Sequence, residues 1–131
     1  MPGEGTKENR GRRRPPARTS RLSEPRNILI VEDSLIVGRS LRRLFDRDRV
    51  HWVRSAADAL IVLDRIRPDW AILDLELGDG LSLGLAHTLR AARVPFVFHT
   101  GCRDVALIHA AERQGRVVAK GDVQGLLTLV A

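Results

Sequence analysis

Residues 28–33 read Ile-Leu-Ile-Val-Glu-Asp, four aliphatic residues closing on two carboxylates. A short continuous run of β-branched and aliphatic residues predicts a strand buried on both faces. Three more runs are built on the same plan. Residues 70–74, Trp-Ala-Ile-Leu-Asp, close on a carboxylate; residues 96–100, Phe-Val-Phe-His-Thr, close on a hydroxyl; residues 117–120, Val-Val-Ala-Lys, close on an ammonium. A strand-end residue of each run therefore carries the chemistry: Glu32 and Asp33, Asp74, Thr100 and Lys120.

Working outward, amphipathic stretches separate the runs. The periodicity predicts strands over 27–32, 50–53, 70–73, 95–100 and 117–119, and helices over 35–47, 56–66, 81–92, 103–113 and 123–130. Val37, Leu41, Leu44 and Phe45 recur at helical spacing, and Arg39, Arg42, Arg43 and Arg47 fall mostly off that stripe. Pro68 stops the second helix, Gly115 closes the fourth, and Asp122 caps a short last one. Five strands alternating with five helices predict a doubly wound parallel sheet covered on both faces. Right-handed crossovers set the first and third strands side by side, so Asp33 and Asp74 meet at the C-terminal edge, where such sheets bind ligands.

Three carboxylates gathered at one edge repel each other and call for a cation. Oxygen ligands without His or Cys favour a hard ion, Mg²⁺ or Mn²⁺. A carboxylate beside such an ion is a competent nucleophile toward phosphorus. Lys120 is suited to pair with a phosphoryl oxygen, and Thr100 to donate to another. Asp74 alone would read as an acid capping the following turn; in register with Asp33, Thr100 and Lys120 it reads as the nucleophile. Asp33 is also placed to cap the helix that follows it. Lys120 is the only lysine after Lys7, among many arginines, which suits a position needing a compact point charge. His51, His87, His99 and His109 do not form a metal spacing. His99 points to the strand face opposite Thr100. Cys102 reads as a small loop residue, and Trp52 and Trp70 as core.

The motifs ILIVEDS, AILDLELGDG, PFVFHTG and VVAKGD together resemble the receiver domain of two-component response regulators, over residues 27–130. The resemblance implies a flavodoxin-like (βα)₅ fold with Asp74 as phosphoacceptor. It implies Mg²⁺ held by Glu32, Asp33, Asp74 and the carbonyl of Glu76, with Thr100 as switch hydroxyl and Lys120 as conserved-type lysine. It further implies a histidine kinase or phosphotransfer protein as partner, a downstream protein partner, and no enzymatic turnover beyond self-phosphorylation and its reversal. Three positions depart from the pattern. Gly121 stands where receivers carry a proline after the lysine, so a trans peptide and a looser lysine are expected. Val117 stands where an aromatic switch residue is usual, and the chain has no Tyr. The loop after Asp74 lacks its common proline.

Composition bounds the rest. The 131 residues, 44% hydrophobic, suit one folded domain. No apolar run is long enough for a membrane span or shaped as a signal peptide. The single cysteine excludes an internal disulfide and fits a reducing cytoplasm. The net charge of +6 is concentrated in residues 1–26, whose eight basic and three acidic residues give +5. That Pro-, Gly- and Arg-rich stretch is expected to be a disordered tail, with 27–131 as the receiver. Nucleic acid or lipid contact is expected only through this tail. The chain is expected to act as a lone receiver, serving as relay, phosphate sink or partner-binding switch. The alternative is a receiver-fold interaction module that needs no phosphate.

Overall fold

A computed structural model of the chain describes residues 24–80 and 82–131. The expected tail falls almost wholly outside these residues, as does Leu81, the expected first residue of the third helix. Ten elements alternate: β1 (Asn27–Val31), α1 (Leu35–Leu44), β2 (Arg49–Val53), α2 (Ala56–Leu63), β3 (Trp70–Leu73), α3 (Ser82–Ala91), β4 (Phe96–Thr100), α4 (Val105–Glu112), β5 (Arg116–Ala119) and α5 (Val123–Val130). The five strands form one parallel sheet in the order β2-β1-β3-β4-β5. The doubly wound reading therefore holds, with β1 beside β3. The helices end a few residues earlier than the periodicity suggested, most visibly α1 and α2, because their last turns open before the chain turns into the next strand.

Strand alternation sorts the core into two layers. Ile28, Ile30, Ile72, Val97 and Val118 face α1 and α5, meeting Leu41, Phe45, Leu126 and Val130. Leu29, Val31, Leu73 and Phe98 face the other way, meeting α2, α3 and α4 through small and aliphatic residues such as Ala59, Ala86, Leu89 and Ala111. The aliphatic residues of β1 are fully buried, each stabilising the fold by roughly 1.5–3 kcal/mol.

Local chemistry fixes the helix ends that face the acidic edge. Ser34, not Asp33, caps α1: its hydroxyl accepts from the Val37 N–H at 3.3 Å. A cap one residue later than expected leaves the Asp33 side chain directed at its neighbours in the cluster. Gly38 lets α1 settle onto the indole of Trp52; a methyl group there would overlap the ring. Trp52 and Trp70 are half-buried, each packed against the core on one side only. At the other end of the sheet Arg26 pairs with Asp48 at 3.2 Å and also donates to the carbonyl of Val130. Arg26, counted by composition with the tail, thus fastens β1 to the end of α5.

Candidate functional site

Asp74 follows β3 directly, and two bonds hold its backbone while a third holds its carboxylate. Its N–H donates to the Val31 carbonyl at 2.9 Å, and its own carbonyl accepts from the Ser82 hydroxyl at 2.8 Å. The Glu76 N–H donates to Asp74 Oδ1 at 3.1 Å. The side chain thus has little freedom at the sheet edge. Glu32, the residue after β1, is 1% exposed. Its carbonyl takes the indole N–H of Trp52 at 2.9 Å, and its Oε2 takes the Ser34 N–H at 3.0 Å. Arg54 grips the neighbouring Asp33 carbonyl through Nε and Nη2, at 3.2 and 3.0 Å.

Lys120 reaches across from the end of β5. Its Nζ lies 3.1 Å from Glu32 Oε1 and 3.2 Å from Asp74 Oδ2. The lysine is therefore well seated although Gly121, not proline, follows it. Gly121 takes φ +98°, a conformation closed to proline, and the described residues contain no cis peptide. Glu32, Asp33 and Asp74 each present an oxygen within 4.8 Å of the others. Three carboxylates against one ammonium leave two negative charges in a partly buried site. Glu32 Oε1 is buried and, the Lys120 ion pair apart, receives no hydrogen bond. Three clustered carboxylates, with no His or Cys in the set, fit a hard divalent cation.

The electrostatics follow from this geometry. Burial raises the Glu32 carboxyl above its usual value, and the neighbouring Asp74 charge adds to the rise; the Ser34 N–H and Lys120 oppose it without cancelling it. Burial alone would lower Lys120, but its bond to Glu32 and the charges of Asp74 and Glu32 outweigh that, so the ammonium is held above its usual value. Lys120 is thus a fixed positive charge at neutral pH.

Thr100 is buried at the end of β4, with its hydroxyl accepting from the Cys102 N–H at 3.1 Å. The hydroxyl proton is left free to donate. His99 faces the α1–α5 layer, as the alternation required, and is 6% exposed. Its Nδ1 has no hydrogen-bond partner. Burial first, then the Lys120 charge, pushes its pKa down, with Asp74 opposing, so the ring is neutral. Of the residues singled out from sequence, the fold brings Glu32, Asp33, Asp74 and Lys120 together. Thr100 ends the strand next to β3. Glu76 contributes an N–H to Asp74, while its side chain is exposed. Sequence reasoning missed Trp52, Arg54 and Ser82, which hold the backbone of the acidic residues. Only Ser82, just after the loop that follows Asp74, carried a readable signal, as a polar residue opening a helix.

Solved structures share this architecture closely. The signal receiver domain of an HD domain-containing protein from Pseudomonas fluorescens Pf-5 superposes with a TM-score of 0.73 at 24% identity, covering 82% of this chain and 92% of that one. The receiver-domain fold is present. A CheY-like response regulator receiver domain from Methylobacillus flagellatus gives a TM-score of 0.65 at 23% identity, covering 82% of this chain and all of that one. A Burkholderia pseudomallei response regulator, solved with a phosphorylated aspartic acid, a calcium ion and citrate, gives 0.71 at 22% identity, covering 81% and 66%. No family model matches the sequence. A protein-glutamate methylesterase/protein-glutamine glutaminase from Rhodopseudomonas palustris is 36% identical over 73 residues, which are 51% of this chain and 19% of that protein. This receiver fold thus spans about a fifth of the length of the curated relatives it matches. No helix among the described residues is long and apolar enough to cross a membrane.

Proposed function

We propose that this receiver fold accepts a phosphoryl group on Asp74 from a phosphohistidine of a histidine kinase or phosphotransfer protein. The observation that carries the reading is the contact of one ammonium, Lys120, with both Glu32 and Asp74, beside Asp33. Glu32, Asp33, Asp74 and the Glu76 carbonyl would hold Mg²⁺, or Mn²⁺, which when bound offsets the negative charge of carboxylates and phosphoryl oxygens.

The chain's own residues do the rest. A carboxylate oxygen of Asp74 forms a bond to phosphorus as the bond from phosphorus to the donor imidazole nitrogen breaks. The nitrogen leaves with its electron pair, and Asp74 becomes a mixed anhydride. The Glu76 N–H and the Ser82 hydroxyl keep Asp74 from turning away. Lys120 stays protonated and pairs with a phosphoryl oxygen, and the Thr100 hydroxyl donates to another. A donor with a phosphorus–nitrogen bond tests this directly. Phosphoramidate should label the protein with Mg²⁺ present and fail to do so in chelator, and Lys120→Met should slow labelling. Labelling that ignores both the chelator and Lys120→Met would refute the assignment.

The receiver domain is proposed to comprise residues 27–131, preceded by a basic tail, and to work in the cytoplasm. It would pass the phosphoryl group on, drain it from a kinase, or bind a partner protein in one state. Arg42 and Arg43, exposed on α1, would favour an acidic docking surface. Val117, half-buried where an aromatic switch is usual, motivates the second reading, an interaction module indifferent to phosphate. An Asp74→Asn chain that retains full activity in cells would select that second reading.

A further inference from the structure

The acid pair that follows β1 is held by the end of β2. The Glu32 N–H donates to the Val53 carbonyl at 3.0 Å. The Glu32 carbonyl accepts from the Trp52 indole, and the Asp33 carbonyl accepts from both Nε and Nη2 of Arg54. Residues 52–54 thus grip the backbone of both acids. Joining β1 to α1 does not require this, since Ser34 already caps the helix. Trp52 is itself fixed: its ring fills the space over Gly38, and the Arg42 guanidinium lies 5.3 Å from the ring centroid. The peptide between Asp33 and Ser34 carries this grip to a carboxylate. Its carbonyl takes the Arg54 guanidinium, and its N–H donates to Glu32 Oε2 at 3.0 Å. Hydrogen bonds in series polarise one another, so a guanidinium on the carbonyl makes the N–H a stronger donor. The Glu32 carboxylate is thereby oriented, with Oε1 3.1 Å from the Lys120 ammonium.

We propose that Trp52 and Arg54 are positioning residues that set the cation affinity of the acidic edge, by fixing the directions of the Glu32 and Asp33 carboxylates. The proposal rests on the reading that these acids hold a divalent cation. Groups that orient metal ligands contribute roughly 10–100-fold to affinity, and a grip exerted through the backbone belongs at the low end. Arg54 is exposed, and as a bare charge it would act in the opposite sense. A guanidinium repels a cation, so losing its charge alone would tighten binding. The sign of the change therefore separates a positioning role from a purely electrostatic one. Trp52 carries no charge, and replacing it by Phe removes the N–H while keeping an apolar ring.

Titration of the full chain with Mn²⁺ tests this, with the free ion counted by electron paramagnetic resonance. Trp52→Phe and Arg54→Met should each weaken Mn²⁺ binding by about threefold to tenfold. Arg54→Lys, which keeps the charge and one donor in place of the fork, should fall between Arg54→Met and the wild type. Arg39→Gln removes an exposed arginine elsewhere on α1 and should change the affinity by less than about twofold. Asp33→Asn should abolish most of the binding, which checks the cation site independently of the grip. Mn²⁺ binding that either Trp52→Phe or Arg54→Met leaves unchanged, or that Arg54→Met tightens, would overturn the proposal and leave the cation site standing. A wild type that takes up no Mn²⁺, or an Asp33→Asn chain that takes it up equally well, would remove the cation site and the proposal with it.

Discussion

Lys120 and His99 show how single residues carry opposite electrostatic duties within one small site. Lys120 neutralises part of a buried acidic cluster, so Lys120→Met should leave Glu32 and Asp74 without their cation. The expected loss is about 1–3 kcal/mol, discounted because the ammonium is partly solvated. Urea unfolding without Mg²⁺ at neutral pH measures it, and added Mg²⁺ should recover a part. His99 is kept neutral by burial, with its pKa below the ordinary 6.5. The unfolded chain takes up that proton more readily, so the stability tied to His99 is present above about pH 6.5 and is lost as the pH falls below it. His99→Leu should therefore melt with a smaller drop between about pH 7.5 and pH 5.5 than the wild type. An equal drop would show that the ring is protonated at little cost. The strand-end position of Glu32, Asp33, Asp74, Thr100 and Lys120 was legible in the sequence, because each closes an apolar run. The supporting groups were not, since the indole of Trp52 and the guanidinium of Arg54 reach the backbone from another strand and a loop. No local pattern encodes a contact of that kind.

At the scale of elements, α1 is fixed by two small residues at its start. Ser34 supplies the cap, and Gly38 opens room for the Trp52 ring. Gly38→Ala should push the helix off the indole and destabilise the fold by about 1–3 kcal/mol, the usual range for overpacking. Thermal unfolding and near-ultraviolet circular dichroism of the tryptophans report it; an unchanged melt would show that α1 can shift freely. The helices and strands themselves were readable from periodicity, and Asp122 was read correctly as the cap of α5, where its carboxylate accepts from the Gly125 N–H at 2.9 Å. Gly125, inside that helix, is the residue that leaves space for this cap. Helix ends were less legible, because the turn at which a helix opens depends on what the following strand needs.

Across the whole molecule, the parallel sheet gathers Glu32, Asp33 and Asp74 at the C-terminal edge of its strands. The doubly wound order could be argued from the alternation alone, since handedness leaves few topologies. The N-terminal boundary could not, because Arg26 belongs by composition to a basic stretch and by contact to the fold. Its bonds to Asp48 and to Val130 join the first strand to the last helix. Arg26→Ala should cost about 1–2 kcal/mol in urea unfolding, whereas removal of residues 1–23 should leave Asp74 chemistry intact. The central claim is that Asp74 accepts phosphate. The most direct test is intact-mass analysis after incubating wild type and Asp74→Asn with acetyl phosphate and Mg²⁺. A single base-labile phosphoryl group on the wild type and none on the variant is the predicted result. An unmodified wild type, or equal modification of both, would contradict it.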